Sequence, residues 1–198
     1  VSWLDIPVLS AFAPVSFIAK REVGTWPFVS ALAKLQRSVF VDRARRGDIP
    51  KVADEMRRRL ETGDTLVLFA EGTSSDGNRV LPFKSSLLAI AAVGADAPHA
   101  HVQALSLVYT HIHGIPIGRA DRPLIGWYGD MEMGGHAWEL LKAGPIDVAI
   151  RIGPPVDLAT FTDRKALTRH AEAAVRSGVS DILRARQPAP AANDHEAP

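Results

Sequence analysis

Residues 65–86 read TLVLFAEGTSSDGNRVLPFKSS, an uncharged run that stops at Glu71-Gly72-Thr73 and passes into a polar loop ending in Phe83-Lys84. Thr65–Phe69 is β-branched and aromatic, the composition of a buried strand, and Ser85–Val93 behind the loop is rich in Ala and Leu, the composition of a helix. Strand, polar loop and helix in that order form the repeating unit of an α/β domain, and groups that do chemistry often sit on loops at strand ends.

Outward from this unit the same alternation continues. Toward the N-terminus the pattern predicts a helix near Asp5–Phe12, a strand at Val15–Ala19, an amphipathic helix at Pro27–Gln36 and a strand at Ser38–Val41. Ile49–Glu61 places Ile49, Val52, Met56 and Leu60 near one face and most of its charges elsewhere, as a surface helix should. Toward the C-terminus a strand is expected at Val102–Tyr109, then a Gly/Pro-rich connection at 114–123 and a short segment Leu124–Tyr128. A helix near His136–Lys142, a strand at Ile146–Ile152 and a helix at Arg164–Arg184 follow. This order predicts a three-layer α/β single domain, 1–186, with a largely parallel or mixed central sheet flanked by helices. Residues 187–198, QPAPAANDHEAP, have the composition of a disordered tail.

Bulk properties narrow the function. With 198 residues, 46% of them hydrophobic, the chain suffices for one sizeable core. It contains no cysteine, which removes disulfides, thiolate nucleophiles and cysteine metal sites together. Its 23 basic and 22 acidic residues leave a net charge of +1, so no global field favours nucleic acid. Val1–Ala19 is apolar but carries Asp5, Pro7 and Pro14, a poor pattern for a membrane-crossing helix. The chain opens without methionine, and the natural N-terminus is expected upstream of Val1.

Four ordered blocks carry a resemblance: SWLD at 2–5, AKREVGTWPF at 19–28, VFVDR at 39–43 and the FAEGTSSDGNRVLPFKSS loop at 69–86. Spread over roughly residues 1–110, they resemble the glycerolipid acyltransferase family that includes 1-acylglycerol-3-phosphate acyltransferases. GWYGDM at 126–131 and His136 are similar to its lyso-ornithine-lipid branch, with Trp127 and Tyr128 read as core or interfacial aromatics. The family uses a His-x-x-x-x-Asp pair in which imidazole takes a proton from the acceptor hydroxyl and carboxylate orients the imidazole. The resemblance makes Asp5 that carboxylate and puts the histidine immediately before Val1; none of the seven histidines here has an Asp five residues later. By itself Asp5 also reads as a first-turn acid favoured by the helix dipole.

The same resemblance implies acceptor binding by Lys20, Arg43, Glu71, Gly72 and Thr73. A guanidinium such as Arg43 grips phosphate through paired charge-assisted bonds, or it pairs with Asp42 or Asp48 on a solvated rim. Gly72 also fits a bare strand-end turn. The chain departs from the family at Ser74, where many glycerophosphate-specific members carry arginine, at Ala70 and Ala104, where proline is common, and at Ser30, where glycine is usual. The implied reaction moves a fatty acyl group from acyl-CoA or acyl carrier protein to a lyso-lipid hydroxyl. Lysophosphatidate giving phosphatidic acid is the first expectation and lyso-ornithine lipid the alternative; a non-catalytic membrane lipid-binding domain is the alternative of another class. No cofactor is expected, and no metal, although His99/His101 and His111/His113 have one-face strand spacing. Trp26, Phe28, Val29, Leu32 and Leu35 among Lys20, Arg21, Lys34 and Arg37 suit either a helix in the headgroup region or a buried face. The expected location is the cytoplasmic face of the inner membrane, peripheral or anchored by an upstream segment.

Overall fold

The structure, a computed structural model, describes residues 1–20, 39–41, 49–93 and 101–185. The expected helix at Pro27–Gln36, with its membrane reading, and the tail at 187–198 lie outside these residues.

Helix α1 (Asp5–Phe12) ends at Ala13, which is extended because the following Pro14 disfavours helical backbone before it. Strand β1 (Val15–Lys20) then runs parallel to both β2 (Val39–Val41) and β3 (Thr65–Leu68), giving the order β2-β1-β3. Its register pairs Val15 with Thr65 and Ile18 with both Leu68 and Val39. Parallel neighbours need a crossover, and between β2 and β3 it is α2 (Ile49–Glu61). Met56 from this helix packs on Ile18, Leu66 and Leu68. Phe69, just past β3, stacks on Phe17 with ring centroids 5.9 Å apart.

After the polar loop and α3 (Ser85–Val93), the strands become antiparallel. Short β4 (His101–Val102) pairs with β8 (Val156–Asp157), while β5 (Leu105–Ile112) lies between β6 (Ile115–Pro116) and β7 (Ile146–Ile152). The expected strand Val102–Tyr109 is therefore two. Gln103 and Ala104 separate them, and Ala104 O accepts from Gly153 N at 2.8 Å as the chain changes partner. Between β6 and β7 come α4 (Arg122–Ile125) and α5 (Met133–Lys142), where Glu132 caps the Gly134 and Gly135 amides. The long α6 (Arg164–Ala185) closes the fold, burying Leu167 and Ala171 against Ala70 and Leu88. The architecture is mixed α/β, as expected, with its described strands divided among one parallel and two antiparallel sheets.

Candidate active site

The first turn of α1 carries Asp5, which is only 5% exposed. Burying a carboxylate is costly unless donors surround it, and three do. Its Oδ2 accepts from the Val1 backbone nitrogen at 2.7 Å and Ser2 N at 3.1 Å, while Oδ1 accepts from the Tyr109 hydroxyl at 2.8 Å. Tyr109 comes from β5 and is itself buried. Burial pushes its phenol far above the ordinary value, and the charge of Asp5 and the hydrogen bond to it push the same way, so the hydroxyl stays a donor.

The segment before α1 is clamped from the other side. Trp3 Nε1 donates to His136 Nδ1 at 3.0 Å, and the other ring nitrogen of His136 lies 3.1 Å from Leu124 O. An indole N–H can only donate, so His136 Nδ1 accepts and its Nε2–H donates to the carbonyl. Trp3, Leu4 and Val8 pack beneath this clamp on the buried cluster of Tyr109, Ile117, Ile125 and Leu140. His136, singled out from sequence without a role, thus fixes the segment leading to Asp5.

Across from it lies the loop between β3 and α3. Gly72 has φ +66°, and a Cβ there would lie 2.9 Å from Leu87 Cδ1 and 3.2 Å from Lys84 Cδ, so the turn requires both left-handed backbone and the absence of a side chain. Glu71 is half-buried, and its Oε2 accepts from Leu81 N at 3.2 Å. Burial raises its pKa, the Leu81 hydrogen bond opposes the rise, and the charge of Asp5 adds to it, so the two carboxylates sense each other. Thr73 is exposed on the same turn. The loop is tied at its far end by Lys84 N to Ala70 O at 2.9 Å and by Phe83 N to Glu172 Oε2 at 2.9 Å. Its middle abuts the N-terminal segment: a Cβ on Gly77 would lie 3.2 Å from Val1 Cγ1, and one on Gly126 would lie 2.8 Å from Ser75 O. Trp127 N donates to Val1 O at 3.3 Å.

Of the residues expected from sequence, Glu71, Gly72 and Thr73 sit on one turn, and the same loop meets Val1, whose nitrogen binds Asp5, at Gly77. Lys20 is the last residue of β1, paired with Val41; its side chain and the whole of Arg43 lie outside what is described. Tyr109, Trp3, His136 and Glu172 were missed as parts of the site. For Tyr109 the available signal was a phenol beside the apolar Leu107 and Val108 of a strand, LSLVYTHI, whose hydroxyl needs a partner when buried. His111 Nδ1 lies 3.5 Å from Asp147, but among the described residues no group of three or more His, Asp or Glu could hold a metal ion.

A buried carboxylate held by a phenol and backbone nitrogens lies beside the loop that carries Glu-Gly-Thr. Residues 1–118, more than half of the chain, match the family model described as Acyltransferase, and the chain belongs to that family. It is 49% identical to the lyso-ornithine lipid O-acyltransferase of Brucella abortus (strain 2308), over 94% of this chain and 71% of that protein. It is 32% identical to the 1-acyl-sn-glycerol-3-phosphate acyltransferase of Neisseria gonorrhoeae, over 91% of this chain and 67% of that protein. The crystal structure of the 1-acyl-sn-glycerophosphate (LPA) acyltransferase PlsC from Thermotoga maritima superposes with a TM-score of 0.60 at 28% identity, covering 95% of this chain and 65% of that one. The chain thus spans about two thirds of the length of these relatives, and their common chemistry makes it an O-acyltransferase of the lysolipid class.

Proposed function

We propose that the acceptor is lyso-ornithine lipid and that the donor is a fatty acyl thioester on coenzyme A or acyl carrier protein. The observation that carries this reading is the 49% identity to a lyso-ornithine lipid enzyme against 32% to a lysophosphatidate enzyme over nearly the same span. The chemistry of the loop supports it. Ser74 stands where many glycerophosphate-specific relatives have arginine, and an ornithine head carries an ammonium and a carboxylate but no phosphate to neutralise.

In the proposed mechanism, Asp5 orients the imidazole that the family's spacing puts immediately before Val1. An ionised carboxylate offers about four acceptor positions, and three donors reach Asp5 here, which leaves room for one imidazole N–H. The base takes the proton of the acceptor hydroxyl, and the oxygen bonds to the thioester carbonyl carbon. The C–S bond breaks, the proton passes to the departing sulfur, and the products are an ester and a free thiol. Glu71, Gly72 and Thr73, with Lys20 and Arg43 from the preceding blocks, form the acceptor side. The lipid acceptor requires work at a membrane surface, in keeping with the cytoplasmic face of the inner membrane.

Parallel assays of the full-length enzyme with lyso-ornithine lipid and lysophosphatidate test the assignment. Robust acylation of the first is expected; turnover of lysophosphatidate alone would overturn the choice of acceptor, and turnover of neither would favour a lipid-binding role.

A further inference from the structure

GWYGDM at 126–131 and His136 stand apart in the sequence without a part in the chemistry above, and the fold brings both onto the segment that leads to Asp5. Residues 1–4 lie before α1 and outside any strand, so no ladder sets their path. Trp127 N donates to Val1 O at 3.3 Å, and Trp3 Nε1 donates to His136 Nδ1 at 3.0 Å. The segment is therefore held at Val1 and again at Trp3.

The two anchors are also fixed to one another. Trp127 Nε1 donates to Met131 O at 2.9 Å, which closes the turn, and Glu132 directly after it accepts from Gly134 N at 2.8 Å to start α5. His136 follows one helical turn on, its backbone N–H donating to Glu132 O at 3.2 Å. It is 7% exposed and held at both ring nitrogens, Nδ1 by Trp3 and Nε2 by Leu124 O at 3.1 Å. Gly126 brings the same turn against the loop that carries Glu71, where a Cβ on it would lie 2.8 Å from Ser75 O and 3.2 Å from Asp76 Cα. Residues 126–136 thus touch both the segment ahead of Asp5 and the Glu-Gly-Thr loop.

We propose that residues 126–136 form a cradle that positions the catalytic pair, with His136 acting through Trp3 and Trp127 through Val1 to set the backbone on which Asp5 and the base before it stand. This rests on the mechanism above, in which the base immediately precedes Val1. In that mechanism neither His136 nor Trp127 touches a reacting atom, so both are positioning residues. The lever is short. The base shares a peptide bond with Val1, so a shift of Val1 or Trp3 carries straight into the imidazole, and a displacement of about 1 Å at a reacting group costs about 100-fold in rate.

The test compares the full-length enzyme with its His136→Asn, His136→Gln and His136→Leu variants, using whichever lysolipid acceptor turns over. An Asn carbonyl falls near the place of Nδ1 and accepts from Trp3, whereas a Gln amide reaches the place of Nε2 and serves Leu124 O alone. His136→Leu should lower kcat about 10–100-fold with acceptor and donor KM nearly unchanged. Asn should recover more of kcat than Gln. Helix propensity ranks Gln above Asn, so a role confined to stability would give the opposite order. Hydrogen exchange at Ser2 N, which donates to Asp5, should quicken in His136→Leu, a readout that decides even without turnover. Trp138→Ala, on the exposed face of α5, should leave kcat and Ser2 exchange at the native level. Any one of native kcat in His136→Leu, native exchange at Ser2, an equal loss in Trp138→Ala, or recovery by Gln above Asn would overturn the positioning role. Native kcat in Asp5→Asn would overturn the mechanism itself, and the positioning role with it.

Discussion

Asp5 and Tyr109 share one buried hydrogen bond, and each meets a need of the other. Tyr109→Phe keeps the ring and removes the donor, leaving Oδ1 of Asp5 short of a partner at a site with 5% exposure. A cost of about 1–3 kcal/mol is expected, read as a lower urea midpoint with an unchanged slope. If Asp5 orients the base, kcat should fall while acceptor KM holds, a split that destabilisation alone does not produce. Glu71 gives a pH signature. Its carboxyl sits above the ordinary glutamate value of 4.5, chiefly through burial, so the folded chain holds that proton more tightly than the unfolded chain. Its stabilising contribution is full below 4.5 and is lost as pH rises through the raised value. Glu71→Gln, neutral throughout and still able to accept from Leu81 N, should gain thermal stability relative to the native chain between pH 4.5 and neutrality. An equal gap in melting temperature at both ends would reject the assignment.

Among elements, α6 and the loop between β3 and α3 depend on one acceptor. Glu172 takes the Phe83 amide and pairs with Arg176 at 2.9 Å. Glu172→Ala should cost about 1–2 kcal/mol and speed hydrogen exchange at Phe83 more than at Leu81, whose partner is Glu71. This link had no trace in the sequence, because Glu172 lies on a helix where any exposed face carries acids. The elements themselves were more legible. The 3.6-residue pattern of Ile49–Glu61 and the limits of Ser85–Val93 and Ile146–Ile152 follow from apolar spacing alone. The break at Gln103 and Ala104 was not legible, since an apolar run does not say that its two ends pair with different strands. Of the candidate site, Asp5 and Glu71-Gly72-Thr73 were named through the family resemblance of their sequence blocks. Tyr109 and His136 were not, because only the tertiary fold brings them to Asp5 and Trp3.

At the scale of the whole molecule, no helix among the described residues is long and apolar enough to cross a membrane. The parallel and antiparallel sheets divide the labour: the first carries the loop with Glu71 at the end of β3, and the second supplies the phenol that holds Asp5. The bonds that join them span long stretches of chain, 104 residues from Asp5 to Tyr109, 133 from Trp3 to His136 and 89 from Phe83 to Glu172. Contacts that distant form late, because loop-closure entropy must be overcome before they contribute. During synthesis Asp5 leaves the ribosome early but gains its phenol only after β5 has emerged, and the loop gains its carboxylate anchor only with the last helix. The buried setting of Asp5 is therefore completed only when segments made far apart in time have met.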